Sequence, residues 1–530
     1  MNIKSKIFYS FLAIALFLAS CKKSFLDRPP LSSIMSENFY QTASDLKLAT
    51  AALYAGAPWA DWTYSSYLPV GEVTSGNMNL GYNGDAAQFN TFSITGLNNG
   101  LIANWKGMYN IIAHCNTTII AIKEKAPASI DTISKNAAIA EARFIRAYAY
   151  FNLAMLWSDV PIIEDNTKLI AHPLVYRNNV NDVYQFVVND LVYAAYHLPI
   201  GGTNWEKGRV TSWSAQGLLA KVYLTWSGLN SNGSGQRNQQ LLDAAKSLAG
   251  NVCKNSGLEL MDNYADLFKA KNNDNPESLF SLQWDPTVGD WLQGNMLQIY
   301  SSGGTEIAPD GQPWFGIYPT IDMYRQYSVK DTVRRKATFM LKNDYYPELN
   351  AAGGGYTYKG DAGLKKHIIG TKKDNNAAIM TLTSSAEHNA LLRLADVYLV
   401  YAEAILGNNT NTTDANALLY FNKVRTRAGV DPVTTLNIDS LLKERRIELA
   451  AEGHYWFDLV RLSYYNPQKA VNILNNQQRV SFKYNNGVAT PADPFVTATP
   501  ATITTFKFPI PLSEYTANPN LMEAPVPYSF

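Results

Sequence analysis

The 530-residue chain has little cysteine and almost no net charge, and each shortage excludes a class of protein. Its three cysteines, Cys21, Cys115 and Cys253, allow at most one disulfide, so a packed core rather than a disulfide framework must stabilise the fold. Lys plus Arg number 45 and Asp plus Glu number 44, which gives a formal net charge of +1. Because no overall positive field would attract a polyanion, we expect no nucleic-acid partner.

The sequence also lacks the short motifs of metal sites, nucleotide sites and common hydrolases. The six histidines stand far apart, and none belongs to an HExxH motif or a cysteine–histidine cluster, so no zinc site is predicted. No GxxxxGK[ST] loop and no GxSxG elbow is present. The segment Asn272–Glu277 offers oxygen ligands for Ca²⁺ but lacks the EF-hand pattern, so an ordinary turn is favoured. We expect neither a metal nor a cofactor.

The chain begins with a predicted secretory signal at residues 1–20. An apolar run from Ile7 to Ala19 follows two lysines and is too short to cross a bilayer as a helix. The run ends in Leu18-Ala19-Ser20-Cys21, which resembles a bacterial lipobox. The alternative is an ordinary secretory signal in which the cysteine has no role. The resemblance implies cleavage before Cys21 and its acylation, and several acyl chains anchor a protein stably. The mature chain, 21–530, would then be tethered to a membrane by lipid.

Helical spacing of Ala, Leu and Ile dominates about 40–250 and 386–462. The predicted helices are Ser44–Tyr54, Leu101–Lys125, Lys135–Trp157, Asn181–His197, Ser212–Trp226, Asn238–Ala249, Ala386–Leu406, Asp414–Arg427 and Asp439–Ala451. Paired helices are typical of a tetratricopeptide-like stack, although no fixed repeat period is present. The predicted fold is therefore mainly α, an irregular scaffold of helix pairs.

The segment of about 255–385 has a different character, because Gly, Asn, Asp and Pro are frequent and the helical period is lost. A strand is predicted at Ser278–Gln283, and the segment is interpreted as a ligand-binding insertion of long loops and small sheets. Trp59–Gly100 has the same loop-like composition. Loops on a rigid scaffold are where binding residues usually lie. A polar and proline-rich tail is predicted for about 475–530.

Three blocks in the helical parts carry a family resemblance. The first runs from Ala140 to Tyr148 with Trp157-Ser158-Asp159-Val160-Pro161 after it, the second from Leu392 to Ala404, and the third from Glu444 to Arg461. Together with the ending Phe508-Pro509-Ile510-Pro511 and the lipobox, they resemble the SusD/RagB family of outer-membrane nutrient-binding lipoproteins. The resemblance covers essentially the whole chain.

This resemblance implies a function as well as a fold. Members of the family sit as a lid over a SusC-like TonB-dependent transporter and hand it oligosaccharides. By resemblance we expect a lipid-anchored outer-membrane protein that faces the cell exterior, binds oligosaccharides and is not an enzyme. Two alternatives remain open, a peptide-binding member of the same family and a lipid-anchored glycoside hydrolase. A retaining hydrolase would need two carboxylates about 5 to 5.5 Å apart.

Glu444, Glu448 and Glu452 recur every four residues on one predicted helical face. Like charges at this spacing repel, so the stripe needs basic partners, and the candidates are Arg393 or Arg143 from neighbouring helices. We favour a structural ion-pair network over a catalytic pair, because such networks also perturb carboxylate pKa values.

Aromatic residues in the loop segments give the sharper signal for binding. The chain has 32 Tyr and 11 Trp, and sugar rings pack their C–H faces on aromatic faces. The predicted stacking residues, chosen by region, are Trp62, Tyr82, Trp291 and Trp314. Candidate partners for sugar hydroxyls are Asn77, Asn79, Asn83 and Asp85. The alternative for each ring is a place in the core under the loops, as predicted for Trp105.

Overall fold

The computed structural model describes residues 39–80, 84–201, 205–287, 294–300, 304–308, 316–371, 373–374, 380–492 and 499–530. The signal segment and Cys21 lie outside these ranges. The α-helices are α1 Ala43–Ala51, α2 Ala57–Trp62, α3 Gly84–Thr91, α4 Asn99–Lys125, α5 Thr132–Trp157, α6 Lys168–Ala171, α7 Val180–His197, α8 Ser212–Trp226, α9 Gln239–Asn255, α10 Ile321–Tyr324, α11 Thr332–Thr338, α12 Leu394–Leu406, α13 Ala415–Arg427, α14 Ile438–Glu448, α15 Tyr455–Tyr465, α16 Pro467–Asn475 and α17 Leu512–Ala517.

The strands are short and pair two at a time. They are β1 Met78–Leu80, β2 Ser278–Leu282, β3 Ile317–Pro319, β4 Phe339–Leu341, β5 Tyr345–Tyr346, β6 Tyr356–Thr357, β7 Ala362–Leu364, β8 Asn389–Arg393, β9 Phe482–Asn485 and β10 Val488–Pro491. In the described part of the chain they form antiparallel pairs, β1 with β3, β2 with β8, β4 with β7, β5 with β6 and β9 with β10. The prediction of a mainly helical fold with small sheets is confirmed.

The long helices stack in chain order. α4 packs on α5, α5 on α7, α7 on α8, α8 on α9, α9 on α12, and α12 on α13. Small side chains such as Ala142, Ala147 and Ala149 of α5 are fully buried and let neighbouring helices approach closely. Capping side chains start the helices, since Asn98 accepts from the Leu101 amide and Asp131 from the Ser134 amide. The predicted scaffold of helix pairs is thus observed.

The structure corrects two predicted elements. The predicted helix Ala386–Leu406 is a strand, β8, before it becomes α12 at Leu394. A short apolar run does not distinguish strand from helix, and pairing of Phe280 in β2 with Leu392 selects the strand. Trp59–Gly100, predicted as loop, is largely helical. Two stretches, Thr63–Tyr67 and Pro69–Val73, have the wider π-helical turn, so their apolar residues do not follow the α-helical period.

The C-terminal tail lies against the helical scaffold. The Phe508 amide donates to the Leu156 carbonyl at 2.8 Å, and the Trp157 indole donates to the Pro509 carbonyl at 2.8 Å. Trp157 also packs edge-on against Phe508. Helices α15 and α16, which precede the tail, were not predicted from the sequence.

Candidate functional site

Most aromatic residues predicted to be in loops lie in the core of the described structure. Trp59, Trp62, Tyr67, Trp284 and Tyr300 are between 1% and 6% exposed. The Trp59 indole donates to the Leu53 carbonyl, and the Trp284 indole donates to Asn389 Oδ1. Trp62 therefore lies in the core, which was the alternative to a stacking role. Its role in binding stays a prediction. The assignment of Trp105 to the core is confirmed by its 3% exposure.

The other three predicted stacking residues, Tyr82, Trp291 and Trp314, lie outside the described residues. The described residues next to two of these segments are paired, however, because Leu80 of β1 lies opposite Ile317 of β3. The segment that carries Tyr82 follows Leu80, and the segment that carries Trp314 precedes residue 316. The two segments therefore leave the described structure at the same end of one ladder.

The base of this β1–β3 ladder is tied firmly to the scaffold. Arg479 donates to the carbonyls of Val73, Thr74 and Asn90. Thr320 Oγ1 donates to the Gly76 carbonyl at 2.7 Å. A ladder held in this way gives the segments beyond it a fixed starting point, as binding loops on a rigid scaffold require.

Asn77, a candidate hydroxyl partner, instead belongs to the core. Its amide donates to Glu72 Oε2 at 2.8 Å, and its Oδ1 accepts from Arg446 Nε at 2.6 Å. Glu72 also accepts from the Gly453 amide at 2.8 Å. Burial raises the pKa of Glu72 against these hydrogen bonds. Of the other candidates, Asn79 donates weakly to the Arg479 carbonyl, Asp85 accepts from the Asn99 amide, and Asn83 lies outside the described residues.

The three glutamates form a buried ion-pair network, but only Glu444 and Glu448 lie on α14, because this helix ends at Glu448 and not at the predicted Ala451. Arg393 contacts Glu448 at 2.7 Å, Glu452 at 2.8 Å and Glu277 at 3.2 Å, which confirms one predicted partner. The alternative candidate, Arg143, does not contact the stripe in the described structure and instead lies 3.8 Å from Asp190. Further ion pairs, which the sequence analysis missed, join Arg334 to Glu444 and Glu448, Arg427 to Glu448 and Glu277, and Lys366 to Glu452.

The network favours the ionised form of two of its carboxylates, Glu448 and Glu452. Burial opposes ionisation of Glu452, yet Arg393 and Lys366 outweigh it and lower its pKa to about 2. The pKa of Glu448 is lowered in the same way, against burial, by Arg427, Arg393 and Arg334. A glycosidase needs one carboxylic acid that stays protonated near neutral pH. Glu448 and Glu452 therefore have the electrostatics of structural ion pairs rather than of a general acid.

Comparison with known proteins places these features in a family. Residues 343–526 match the model of the SusD family, and residues 24–224 match a model described as starch-binding associating with outer membrane. A SusD-like protein of Bacteroides ovatus is 40% identical over 538 aligned residues, which cover 97% of this chain and 97% of that protein. The chain belongs to the SusD family. SusD-like protein P25 of Formosa agariphila is 25% identical, with 99% of this chain and 98% of that protein covered.

Solved structures of SusD-like proteins share the fold. A crystal structure described as "with xylogluco-oligosaccharide" is 39% identical, with a TM-score of 0.83 over 92% of this chain and 99% of that one. A laminarin-binding SusD-like protein is 24% identical and superimposes with a TM-score of 0.66 over 90% of this chain and 98% of that one. In the described part of this SusD-family chain, no helix is long and apolar enough to span a bilayer.

Among the described residues of the SusD-family chain, no group of three or more His, Cys, Asp or Glu side chains has the arrangement of a metal site. In the turn considered for Ca²⁺, Asn273 Oδ1 accepts from the His388 amide, and Asp274 Oδ1 accepts from Gln283 Nε2. These oxygens join the turn to His388 and to Gln283, and the choice of an ordinary turn over a Ca²⁺ site stays a prediction. Cys115 and Cys253 are both free thiols.

A pocket of about 40 Å³ lies beside the π-helical stretches of the SusD-family fold. Three polar atoms in its lining, Trp62 Nε1, Asn104 Oδ1 and Asn152 Oδ1, are buried and find no hydrogen-bond partner within the described ranges. Lys221 and His454 also line the pocket, and Lys221 Nζ lies 3.0 Å from His454 Nδ1. The volume suffices for about three waters, which would satisfy these atoms.

Proposed function

We propose that this protein is a cell-surface lipoprotein that captures oligosaccharides and passes them to a SusC-like TonB-dependent transporter. The observation that carries the proposal is the similarity, over 92% of the chain, to a structure described with a bound xylogluco-oligosaccharide. At 39% identity and a TM-score of 0.83, the two chains share the scaffold that positions the binding loops. The resemblance of Leu18-Ala19-Ser20-Cys21 to a lipobox supports anchoring in the outer membrane through acylated Cys21.

We place the glycan at the open end of the β1–β3 ladder. The pairing of Leu80 with Ile317 supports this site, since the segments with Tyr82 and Trp314 start from neighbouring positions. Trp291 is the third proposed stacking residue. Rings from separate loops that meet over a fixed base would form a preorganised platform for sugar rings.

A binding role without catalysis agrees with the electrostatics of the glutamate stripe. Glu448 and Glu452 are held by arginines and a lysine, and their lowered pKa values leave neither as a proton donor near neutral pH. The hydrolase alternative would need a carboxylate pair elsewhere, and the peptide-binding alternative would need backbone-binding groups at the ladder end. We therefore propose that an oligosaccharide is bound and released unchanged.

Calorimetric titration tests the site. The mature chain should bind a xylogluco-oligosaccharide without releasing products, and Trp291→Ala and Trp314→Ala should each weaken binding by about 0.5 to 1.5 kcal/mol or more. Tyr196→Ala is the matched control, because this ring is 83% exposed on α7. Unchanged affinity in both tryptophan variants would place the platform elsewhere. Binding of peptides instead of any glycan, or release of shortened sugars, would favour one of the alternatives.

The transporter partner is tested separately. The lipidated protein should co-purify with a TonB-dependent transporter from outer membranes of its own organism. Recovery of the protein alone, under conditions that keep a known SusC–SusD complex together, would contradict this part of the proposal.

A further inference from the structure

A groove of about 390 Å³ opens in the loop-rich insertion. It lies between the short helical turn Tyr264–Phe268, helix α11, strand β5 and the segment after β7. Phe268, Tyr346, Leu349 and Ile368 form its apolar floor. Tyr346, Leu349 and Ile368 are at most 3% exposed, so the floor is part of a packed satellite core and is not a mobile surface.

The rim of the groove is rich in lysine. Four lysines line it, Lys269, Lys271, Lys336 and Lys365, against two carboxylates, Glu348 and Asp374. Asp374 is already occupied, because its oxygens accept from the backbone amides of Asn350, Ala351 and Thr371. The groove therefore presents more cationic than anionic groups to a ligand.

Two of these lysines are only weakly engaged by the protein. Lys271 is exposed and forms no ion pair with any described residue. Lys336 lies 4.0 Å from Asp344 and is 45% exposed, but Asp344 is already bound by Arg335. Among the described residues neither ammonium group has a close carboxylate partner of its own, although Lys336 also lies 5.9 Å from the Tyr346 ring centroid.

The other two lysines have carboxylate neighbours. Lys269 pairs with Asp266 at 2.5 Å, and Lys365 lies 3.6 Å from Glu348. Burial lowers the pKa of Lys365 and Glu348 only partly offsets this, so an additional anion nearby would stabilise its charged form.

A tyrosine ring stands at the same rim. Tyr345 is 49% exposed, and its hydroxyl donates to the Gly354 carbonyl at 2.9 Å. The ring lies so close to Gly355 that a Cβ there would come 2.4 Å from the Tyr345 hydroxyl oxygen. The glycine-rich turn after β5 thus holds an aromatic ring in place. An exposed ring held in this way suits the C–H face of a sugar.

We infer that this groove is a second saccharide subsite, for a sugar unit that carries an anionic group, either a uronate carboxylate or a sulfate ester. The Tyr345 ring packs on the sugar face, while Lys271 and Lys336 bind the anion by charge-assisted hydrogen bonds. The inference depends on the proposed function in one respect, namely that the ligand is a saccharide. No residue of the β1–β3 ladder lines the groove, so the two sites can fail independently.

Titration of the full mature chain with three probes tests the subsite: trigalacturonate, a sulfated tetrasaccharide of the carrageenan type, and neutral galactotriose. We expect an anionic probe to bind, with an affinity that falls as salt is raised, and galactotriose to bind at least about tenfold more weakly. The tighter of the two anionic probes identifies the anion. Failure of both anionic probes to bind better than galactotriose overturns the inference.

Variants locate the binding. Lys271→Ala combined with Lys336→Ala should weaken the anionic probe about tenfold, and Tyr345→Ala should weaken it more than Tyr345→Phe, which keeps the ring and loses only the hydroxyl bond to Gly354. Lys106→Ala combined with Lys246→Ala removes the same charge from exposed positions of α4 and α9 and should have no effect. An equal loss in this control pair would show only a net-charge effect and would overturn the subsite.

A parallel titration with the xylogluco-oligosaccharide separates the two proposals. If the double variant of Lys271 and Lys336 still binds the xylogluco-oligosaccharide, its weaker binding of the anionic probe is due to the groove alone. If the xylogluco-oligosaccharide never binds but the anionic probe does, the ladder site fails and the groove stands.

Discussion

Removal of Glu448 is the sharpest test of how the scaffold is held together. This carboxylate is fully buried at the end of α14 and contacts Arg393 at 2.7 Å, Arg427 at 2.5 Å and Arg334 at 3.2 Å. Glu448→Ala deletes the charge that these three guanidinium groups share. It leaves them with fewer carboxylates in a site that water does not reach.

The expected cost follows from burial rather than from the number of ion pairs. Breaking a buried pair by removing one partner costs about 3 to 5 kcal/mol, because the remaining charge is left uncompensated. Arg393 keeps Glu452 and Glu277, and Arg334 keeps Glu444, so the remaining network limits the loss. We therefore expect the free energy of unfolding to fall by about 3 to 5 kcal/mol, the cost of one broken buried pair and not of three.

Urea denaturation measures the loss through the shift of the midpoint at an unchanged slope. Asp431→Ala is the matched control, because the Lys330–Asp431 pair has side chains 59% and 72% exposed. Surface pairs of this kind contribute little. A midpoint shift for Glu448→Ala no larger than that of Asp431→Ala would refute the buried network as a source of stability.

Three further changes have expected outcomes. Cys21→Ala should leave the signal uncleaved or release the protein from membranes, and unchanged palmitate labelling would contradict lipidation at this residue. Burial, with Lys221 close by, lowers the pKa of His454 to about 3, so the unfolded chain binds a proton near pH 6.5 that the folded chain does not. The free energy of unfolding should therefore fall as the pH drops below that value, by up to about 1.4 kcal/mol per pH unit. Denaturation measured between pH 7 and pH 5 should show a smaller pH dependence for His454→Gln. Gly71→Ala should destabilise by about 3 kcal/mol, since overpacking is costly and its Cβ would lie 2.3 Å from the Gly453 backbone, whereas an unchanged thermal midpoint would contradict that close contact.

Local patterns were enough to predict most of the helical scaffold. Ser212–Trp226 was predicted to the residue, because Thr211 starts it with a capping box and its apolar residues follow the helical period. The same reasoning failed for Asn389–Arg393, whose leucines suit either element. It also failed for Pro69–Val73, where the wider turn breaks the α-helical period.

The candidate site was less predictable than the scaffold. Composition drew attention to Trp62 because it lies among other aromatic residues, yet the fold places it in the core at 2% exposure. The lysine groove gave no signal in the sequence, because Lys271, Lys336 and Tyr345 belong to separate elements. A motif search cannot find a site whose members are brought together only by folding.

By itself, the sequence determined where helices form and that the stripe of Glu444, Glu448 and Glu452 must find basic partners, since both depend on neighbours within about four residues. Only the tertiary structure decided which partners these are, because Arg334 and Lys366 come from the loop-rich insertion, 110 and 86 residues away from the carboxylates they contact. The same holds for the pairing of Leu80 with Ile317, which brings two aromatic segments to one end of a ladder. Such contacts depend on the packing of the whole chain, so no local propensity encodes them.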